Sequence, residues 1–181
     1  MKNVFIFLAD GFEETEAITT TDILLRAEFN VKTVSISSVK TVGGTHNITV
    51  LADCLLSETD FSDADCLILP GGMPGAANLD QNSDVKRILS EHYKQGKLLA
   101  AICAAPLVLG RLKFLVGRDA VCYPGFEKYL EGASLIKNKV AYSKNIITAK
   151  GPGCVFEFAL KIIELLKDKS CAEKVADGLI W

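Results

Sequence analysis

Short apolar runs alternate with amphipathic stretches along the whole chain. Val4-Phe5-Ile6-Phe7-Leu8 is apolar at every position, so Asn3 to Leu8 is predicted as a strand buried on both faces. Glu14 to Phe29 reads as a helix and Val31 to Ser37 as a second strand, which completes one βαβ unit. Gly43-Gly44 among β-branched residues predicts a small hairpin or edge excursion over Val39 to Val50. Cys66 to Leu69 is a buried strand ending in Pro70-Gly71-Gly72, Ser83 to Tyr93 a helix, and Lys97 to Ile102 a strand running into Cys103. A helix starts near Ala105-Pro106, since proline suits a first turn.

Further on, Asp119 to Tyr123 reads as a short strand, and Ala141-Tyr142 with Ile146 to Ala149 as an antiparallel pair turning at Lys144-Asn145. Val155 to Leu166 has apolar residues recurring at three and four, the face of a helix on a sheet. Ser170 to Asp177 is a last short helix, with Ser170 and Glu173 as a capping box. The alternation predicts an α/β fold with a mostly parallel sheet sandwiched by helices.

The length, 181 residues, suits one domain spanning 1–181. With 49% hydrophobic and 23% charged residues, collagen-like and disordered classes are excluded. A net charge of −2 without a basic block argues against a nucleic-acid partner. The longest apolar run, Leu98 to Leu109, is about half a bilayer span and is broken by Pro106, so no membrane segment is expected. Asp10, Glu13, Glu14 and Glu16 follow the first apolar stretch where a signal peptide needs small neutral residues, and the protein reads as cytoplasmic. Six cysteines, at 54, 66, 103, 122, 154 and 171, have no Cys-x-x-Cys pair, which disfavours both a zinc site and a disulfide scaffold.

In an open α/β sheet ligands bind beyond the carboxyl ends of the strands. The residues there are Asp10 to Glu16, Pro70 to Gly75, Cys103 to Pro106, Cys122-Tyr123-Pro124 and Lys150 to Gly153. Cys103 stands at an abrupt strand-to-helix junction flanked by alanines, the setting of a nucleophile elbow, where a helix N-terminus favours the thiolate. An isolated apolar cysteine is more often simple packing. Here Gly71-Gly72 lets backbone approach a ligand, and the Gly72 and Ala104 N–H groups can form an oxyanion hole. A carboxylate from the first turn of the first helix can reach Cys103, but spacing alone does not choose among Glu13, Glu14 and Glu16.

Taken together, Ala9 to Glu16, Leu69 to Gly72, Ala100 to Pro106, and Gly151-Pro152-Gly153 with Phe156 to Ala159 resemble the DJ-1/PfpI (ThiJ) superfamily, its DJ-1 branch in particular. The resemblance covers nearly the whole chain in order. It implies a flavodoxin-like fold, a homodimer, Cys103 as the easily oxidised cysteine, and Glu16 as a protonated carboxyl bonded to its sulfur. It also implies a pocket that includes Gly71, Arg26, Tyr123, Gly151 and Pro152, with Arg26 helping to hold an anion and His46 in place of a second arginine. For the dimer it points to helix one, where Ile18, Ile23 and Leu24 exceed a single apolar stripe. Ala104 stands where the protease and chaperone branch has histidine, which makes peptidase activity improbable. Tyr123 stands where animal members have a pocket histidine.

Among the remaining cysteines, Cys66 reads as core and Cys171 as peripheral packing, while Cys122 and Cys154 lie where either can resolve an oxidised Cys103. His46 and His92 read as ordinary. The resemblance leaves two functions open: a cofactor-free, metal-free glyoxalase or deglycase acting on a small aldehyde, and a sensor in which an oxidant converts Cys103 without turnover. A phosphate-handling enzyme is disfavoured by the lack of a P-loop.

Overall fold

In the computed structural model, which describes residues 1–181, strand β1 (Asn3–Leu8) lies in the interior of the sheet because both of its faces are apolar. Val4, Ile6 and Leu8 enter one core and Phe5 and Phe7 the other, the alternation a pleated strand imposes. Helix α1 (Glu14–Arg26) follows, then β2 (Asn30–Ser35), and a hairpin of β3 (Thr41–Gly43) and β4 (Thr49–Leu51). A two-residue strand β5 (Cys54–Leu55) precedes β6 (Cys66–Leu69), α2 (Gly75–Gln81), α3 (Ser83–Lys94) and β7 (Leu98–Ile102). The chain continues through α4 (Pro106–Arg111), β8 (Asp119–Ala120), β9 (Ser134–Leu135), β10 (Val140–Ser143), β11 (Ile146–Ala149), α5 (Val155–Leu166) and α6 (Lys169–Leu179).

The main sheet runs β10-β11-β7-β6-β1-β2-β5, all parallel except the edge strand β10. Residues of α1, α5 and α6 fill the core on one face, and residues of α2, α3 and α4 fill the core on the other. The expected α/β sandwich is therefore the observed one. It directs the carboxyl ends of β1, β6, β7 and β11 to one rim.

Several boundaries differ from the sequence pattern for local reasons. Helix α1 stops at Arg26 rather than Phe29, because Glu28 is left-handed, φ 63°, and the Ala27 N–H turns back to Leu24 and Leu25. Helix α6 begins at Lys169, capped by Asp168, whose carboxylate accepts from the Cys171 N–H at 2.8 Å; the expected Ser170–Glu173 box does not form, and Glu173 pairs with Lys169 instead. Helix α2 was not legible, since Gly75, Asn78 and Asp80 are poor helix formers and it is held by burying Ala76 and Leu79. The 119–123 stretch forms a strand only at Asp119–Ala120, because the Val121 N–H goes to the Thr148 hydroxyl and the Tyr123 N–H to the Cys103 carbonyl.

The apolar excess of α1 also resolves differently. Ile23 and Leu24 are fully buried in the core, whereas Ile18 and Leu25 are exposed. With Leu51, itself 75% exposed, they line a shallow apolar groove between α1 and β4. No helix is long and apolar enough to cross a membrane.

Phe158 is fully buried on α5 and packs in the core that holds α1 and α5 against the sheet. Phe158→Ala is expected to lower unfolding free energy by about 3–5 kcal/mol in urea titration, with a fall in the midpoint.

Candidate active site

The strand-to-helix junction after β7 forces an unusual backbone at Cys103, which sits at φ 64°, in the left-handed region that non-glycine residues rarely occupy. Its N–H donates to the Ala149 carbonyl at 2.9 Å and its carbonyl accepts from the Tyr123 N–H at 2.8 Å, so both neighbouring segments hold the turn. The elbow expected from the alanine-flanked cysteine is thus present. The Gly72 and Ala104 N–H groups lie beside the sulfur and favour its thiolate.

The three glutamates left open by spacing have separate roles. Glu13 caps α1: its Oε2 accepts from the Glu16 N–H at 2.7 Å. Glu14, buried, turns away to the hairpin, where it accepts from the His46 N–H at 2.6 Å and meets His46 Nδ1 at 2.8 Å. Glu16 faces the cysteine. Its Oε2 accepts from the Gly71 N–H at 2.7 Å, while Oε1 is buried without a well-formed hydrogen bond, and the Cys103 thiol lies within reach of the carboxyl.

Glycine is required at 71 for space. A Cβ there would lie 2.6 Å from the Cys103 Cβ and 2.9 Å from Glu16 Oε2, so any side chain would part the pair. At Gly72 the need is conformational as well, since φ is +85° and a Cβ would meet the Glu13 nitrogen at 2.4 Å. The Gly-Gly pair thus places backbone donors beside a sulfur that side chains would crowd out.

Burial sets the electrostatics. Glu16 is 1% exposed, and burial raises its pKa from 4.5 to about 7, helped by the charge of Glu13 and opposed by the Gly71 and Cys103 hydrogen bonds. Cys103 is 8% exposed, and burial together with the Glu16 carboxylate pushes its thiol well above the ordinary range. The expectation that the α4 N-terminus would lower it fails, because burial and the neighbouring carboxylate outweigh the Gly72 and Ala104 amides. Two negative charges cannot share this volume, so the pair gives up one proton near 7 and keeps the second to far higher pH.

Tyr123 and Gly151 meet at the same rim: a Cβ on Gly151 would lie 3.2 Å from the Tyr123 ring. Pro152 begins the single helical turn that follows. Arg26 does not join them. It ends α1, ten residues and roughly 15 Å of helix beyond Glu16, and its guanidinium is held by Asp22 at 2.7 Å. An anion site built by Arg26 within one chain is therefore ruled out by its position on the helix.

His46 is likewise committed, as the partner of Glu14. Glu13, Glu14 and His46 bring three possible metal ligands within 4.8 Å, but the cap to Glu16 and the bonds to His46 already engage them. All six cysteines are free thiols; Cys122 and Cys154 are buried, and burial with the Glu127 charge raises Cys122 to about 11. Sequence reasoning missed the Glu14–His46 clasp, for which nothing in the spacing gave a signal.

A doubly wound α/β protein with an elbow cysteine paired to a buried carboxyl is the class these features define. The DJ-1/PfpI family model matches residues 2–165, and the chain belongs to that family. It is 35% identical to "Protein dj-1beta" of Drosophila melanogaster over 99% of this chain and 97% of that protein. It is also 35% identical to the "Glutathione-independent glyoxalase DJR-1.2" of Caenorhabditis elegans, over 92% of this chain and 89% of that protein. Against "Protein DJ-1 homolog B" of Arabidopsis thaliana, at 35% identity, the chain spans only 41% of the relative's length. Among solved structures, oxidized Toxoplasma gondii DJ-1 superposes with a TM-score of 0.96 at 37% identity, covering 100% of this chain and 99% of that one.

Because Glu16 titrates near 7 in the fold against 4.5 when free, its ionisation opposes folding: the native state binds more protons, and stability falls as pH rises through 4.5 to 7. Glu16→Gln, which keeps the neutral form, is expected to remove about 3 kcal/mol of that decline. Chemical denaturation at intervals across this window checks it.

Proposed function

We propose that the chain is a cysteine-dependent, glutathione-independent glyoxalase that converts small 2-oxoaldehydes, methylglyoxal in the first instance, to 2-hydroxy acids, with deglycation as a by-product of the same chemistry. The observation that carries this reading is the contact between one buried thiol and one carboxyl titrating near 7. A group poised near neutrality both gives and takes a proton, as moving hydrogen between adjacent carbons requires.

In this mechanism the proton of Cys103 passes to solvent as the sulfur adds to the aldehyde carbon, which leaves Glu16 ionised for the next step. The carbonyl oxygen becomes the oxyanion of a hemithioacetal, held by the Gly72 and Ala104 N–H groups. Glu16 takes the proton from that carbon, the electron pair forms the double bond to the neighbouring ketone carbon, and the two oxygens take protons from solvent to give an enediol. Reprotonation at that second carbon leaves a thioester and a hydroxyl. Water then cleaves the thioester, giving the 2-hydroxy acid and the free thiol. The sum is addition of one water to the aldehyde, with no external oxidant or cofactor. Tyr123, Gly151 and Pro152 border the pocket, and Gly71 admits the carboxyl.

The name of the Caenorhabditis elegans relative supports the same reaction class here. A second reading, an oxidative-stress sensor in which an oxidant converts Cys103 without turnover, is favoured by the oxidized state named for the Toxoplasma gondii neighbour. We propose that the protein is a cytoplasmic homodimer, a reading supported by the exposed apolar groove of Ile18, Leu25 and Leu51, which a second copy of the chain would cover.

Lactate formed from methylglyoxal without glutathione separates the two functions. Wild type is expected to turn over many times with unchanged intact mass, and Cys103→Ser and Glu16→Ala to lose at least about 100-fold in kcat/KM. A wild type that makes no lactate yet gains two oxygens at Cys103 under mild peroxide would replace the enzyme with the sensor. Leu25→Glu is expected to halve the mass found by light scattering without lowering far-ultraviolet helicity.

A further inference from the structure

Parallel strands are usually joined by a crossover helix packed on the sheet. Between β2 and β6 this chain has none: it makes the β3–β4 hairpin, β5 and a single turn at Leu56–Glu58. The sheet face that such a helix would cover is closed by Phe61, whose ring meets Phe5 at 5.0 Å and Phe7 at 5.4 Å, both edge-on. A cleft of ≈ 700 Å³ remains between this loop and α3, on the opposite face of the sheet from α1.

The cleft has a small apolar floor and polar walls. Phe61, Leu56 and Ile88 supply carbon surface, while twelve of its sixteen lining residues are polar, against the mostly apolar lining of ordinary ligand pockets. One polar group is buried in it: His92, 3% exposed, with Nε2 3.0 Å from the Leu98 carbonyl. A carbonyl only accepts, so Nε2 carries the hydrogen. Burial keeps the ring neutral, lowering its pKa from 6.5 to about 4. Nδ1 is thereby left as a lone-pair acceptor without a partner in the chain.

The walls present both donors and acceptors. Asn82 spends its oxygen capping α3, on the Asp84 and Val85 N–H groups, and keeps its amide nitrogen free. Ser57 and Gln95 are exposed and make no side-chain hydrogen bond. Asp84 and Glu91 hold Arg87 between them, and Asp60 accepts from the Ser62 N–H and hydroxyl. Three carboxylates against one guanidinium exclude an anion. Planar polar groups mixed with hydroxyls beside one aromatic ring match a ligand that is itself a dense array of hydroxyls on carbon.

We propose that this cleft binds a small polyhydroxylated ligand, a saccharide or open-chain polyol, one of whose hydroxyls donates to His92 Nδ1. The site is separate from the Cys103 rim and does not depend on that chemistry.

The test is nuclear magnetic resonance of the intact ¹⁵N-labelled protein titrated with maltose and with sorbitol, following the backbone amides and the His92 ring nitrogens. The expected result is saturable binding with a Kd of about 10 mM or tighter for at least one probe. Shifts should centre on Ser57, Phe61, His92 and Gln95, and Nδ1 should move while Nε2 keeps its hydrogen. Saturation by one probe alone tells ring from open chain. Ser57→Trp, which fills the mouth from an exposed position, should weaken binding at least about tenfold and leave the rate of Cys103 alkylation unchanged. The proposal is overturned if neither probe saturates, if Nδ1 does not move on saturation, or if folded Ser57→Trp binds as wild type does.

Discussion

One proton held between the Glu16 carboxyl and the Cys103 thiol is the constraint around which the rim is built. Both groups are almost wholly buried, and either alone would be costly to ionise there. Together they cannot both be charged, so as Glu16 titrates the site goes from neutral to a single negative charge and no further. The Gly71 N–H fixes one carboxyl oxygen, and the Gly72 and Ala104 amides face the sulfur, so that charge has ready donors wherever it rests. The left-handed backbone at Cys103 is the strain accepted to aim the sulfur into this cage.

The rest of the fold serves that cage. Strands β1, β6 and β7 lie side by side, which brings the first turn of α1 with Glu16, the Gly71-Gly72 turn and the Cys103 elbow to adjacent strand ends. Glu13 and Glu14 hold the start of α1 from two sides, one by capping it and the other by clasping His46. Two parts of the surface stay open for different reasons: the α1 groove is apolar, and the α3 cleft is polar because no crossover helix covers it.

Much of this was legible in the residue pattern. The continuous apolar runs at β1, β6 and β7 report strands buried on both faces, and Cys103 among alanines before Pro106 reports a sharp turn into a helix. What escaped were features set by tertiary contacts. Glu13, Glu14 and Glu16 are chemically alike, and only the direction each takes from the helix start tells cap, clasp and acid apart. Arg26 lies in the sequence near the site residues, yet ten residues of helix carry it to the far end of α1. The lowered thiol pKa expected from α4 reversed because burial depends on what surrounds the sulfur, and Leu24 and Leu25 differ only in which way the helix faces. Helix α2 is short and weak in propensity, so its packing makes it.

The account is tested most directly by a ¹³C titration of the Glu16 side-chain carboxyl in the native protein. A midpoint near 7 is predicted, with the Cys103 Cβ resonance moving in the same range. A Glu16 midpoint at the ordinary 4.5 would mean that the carboxyl is fully ionised at neutral pH and is not the group poised to give and take a proton that the account requires.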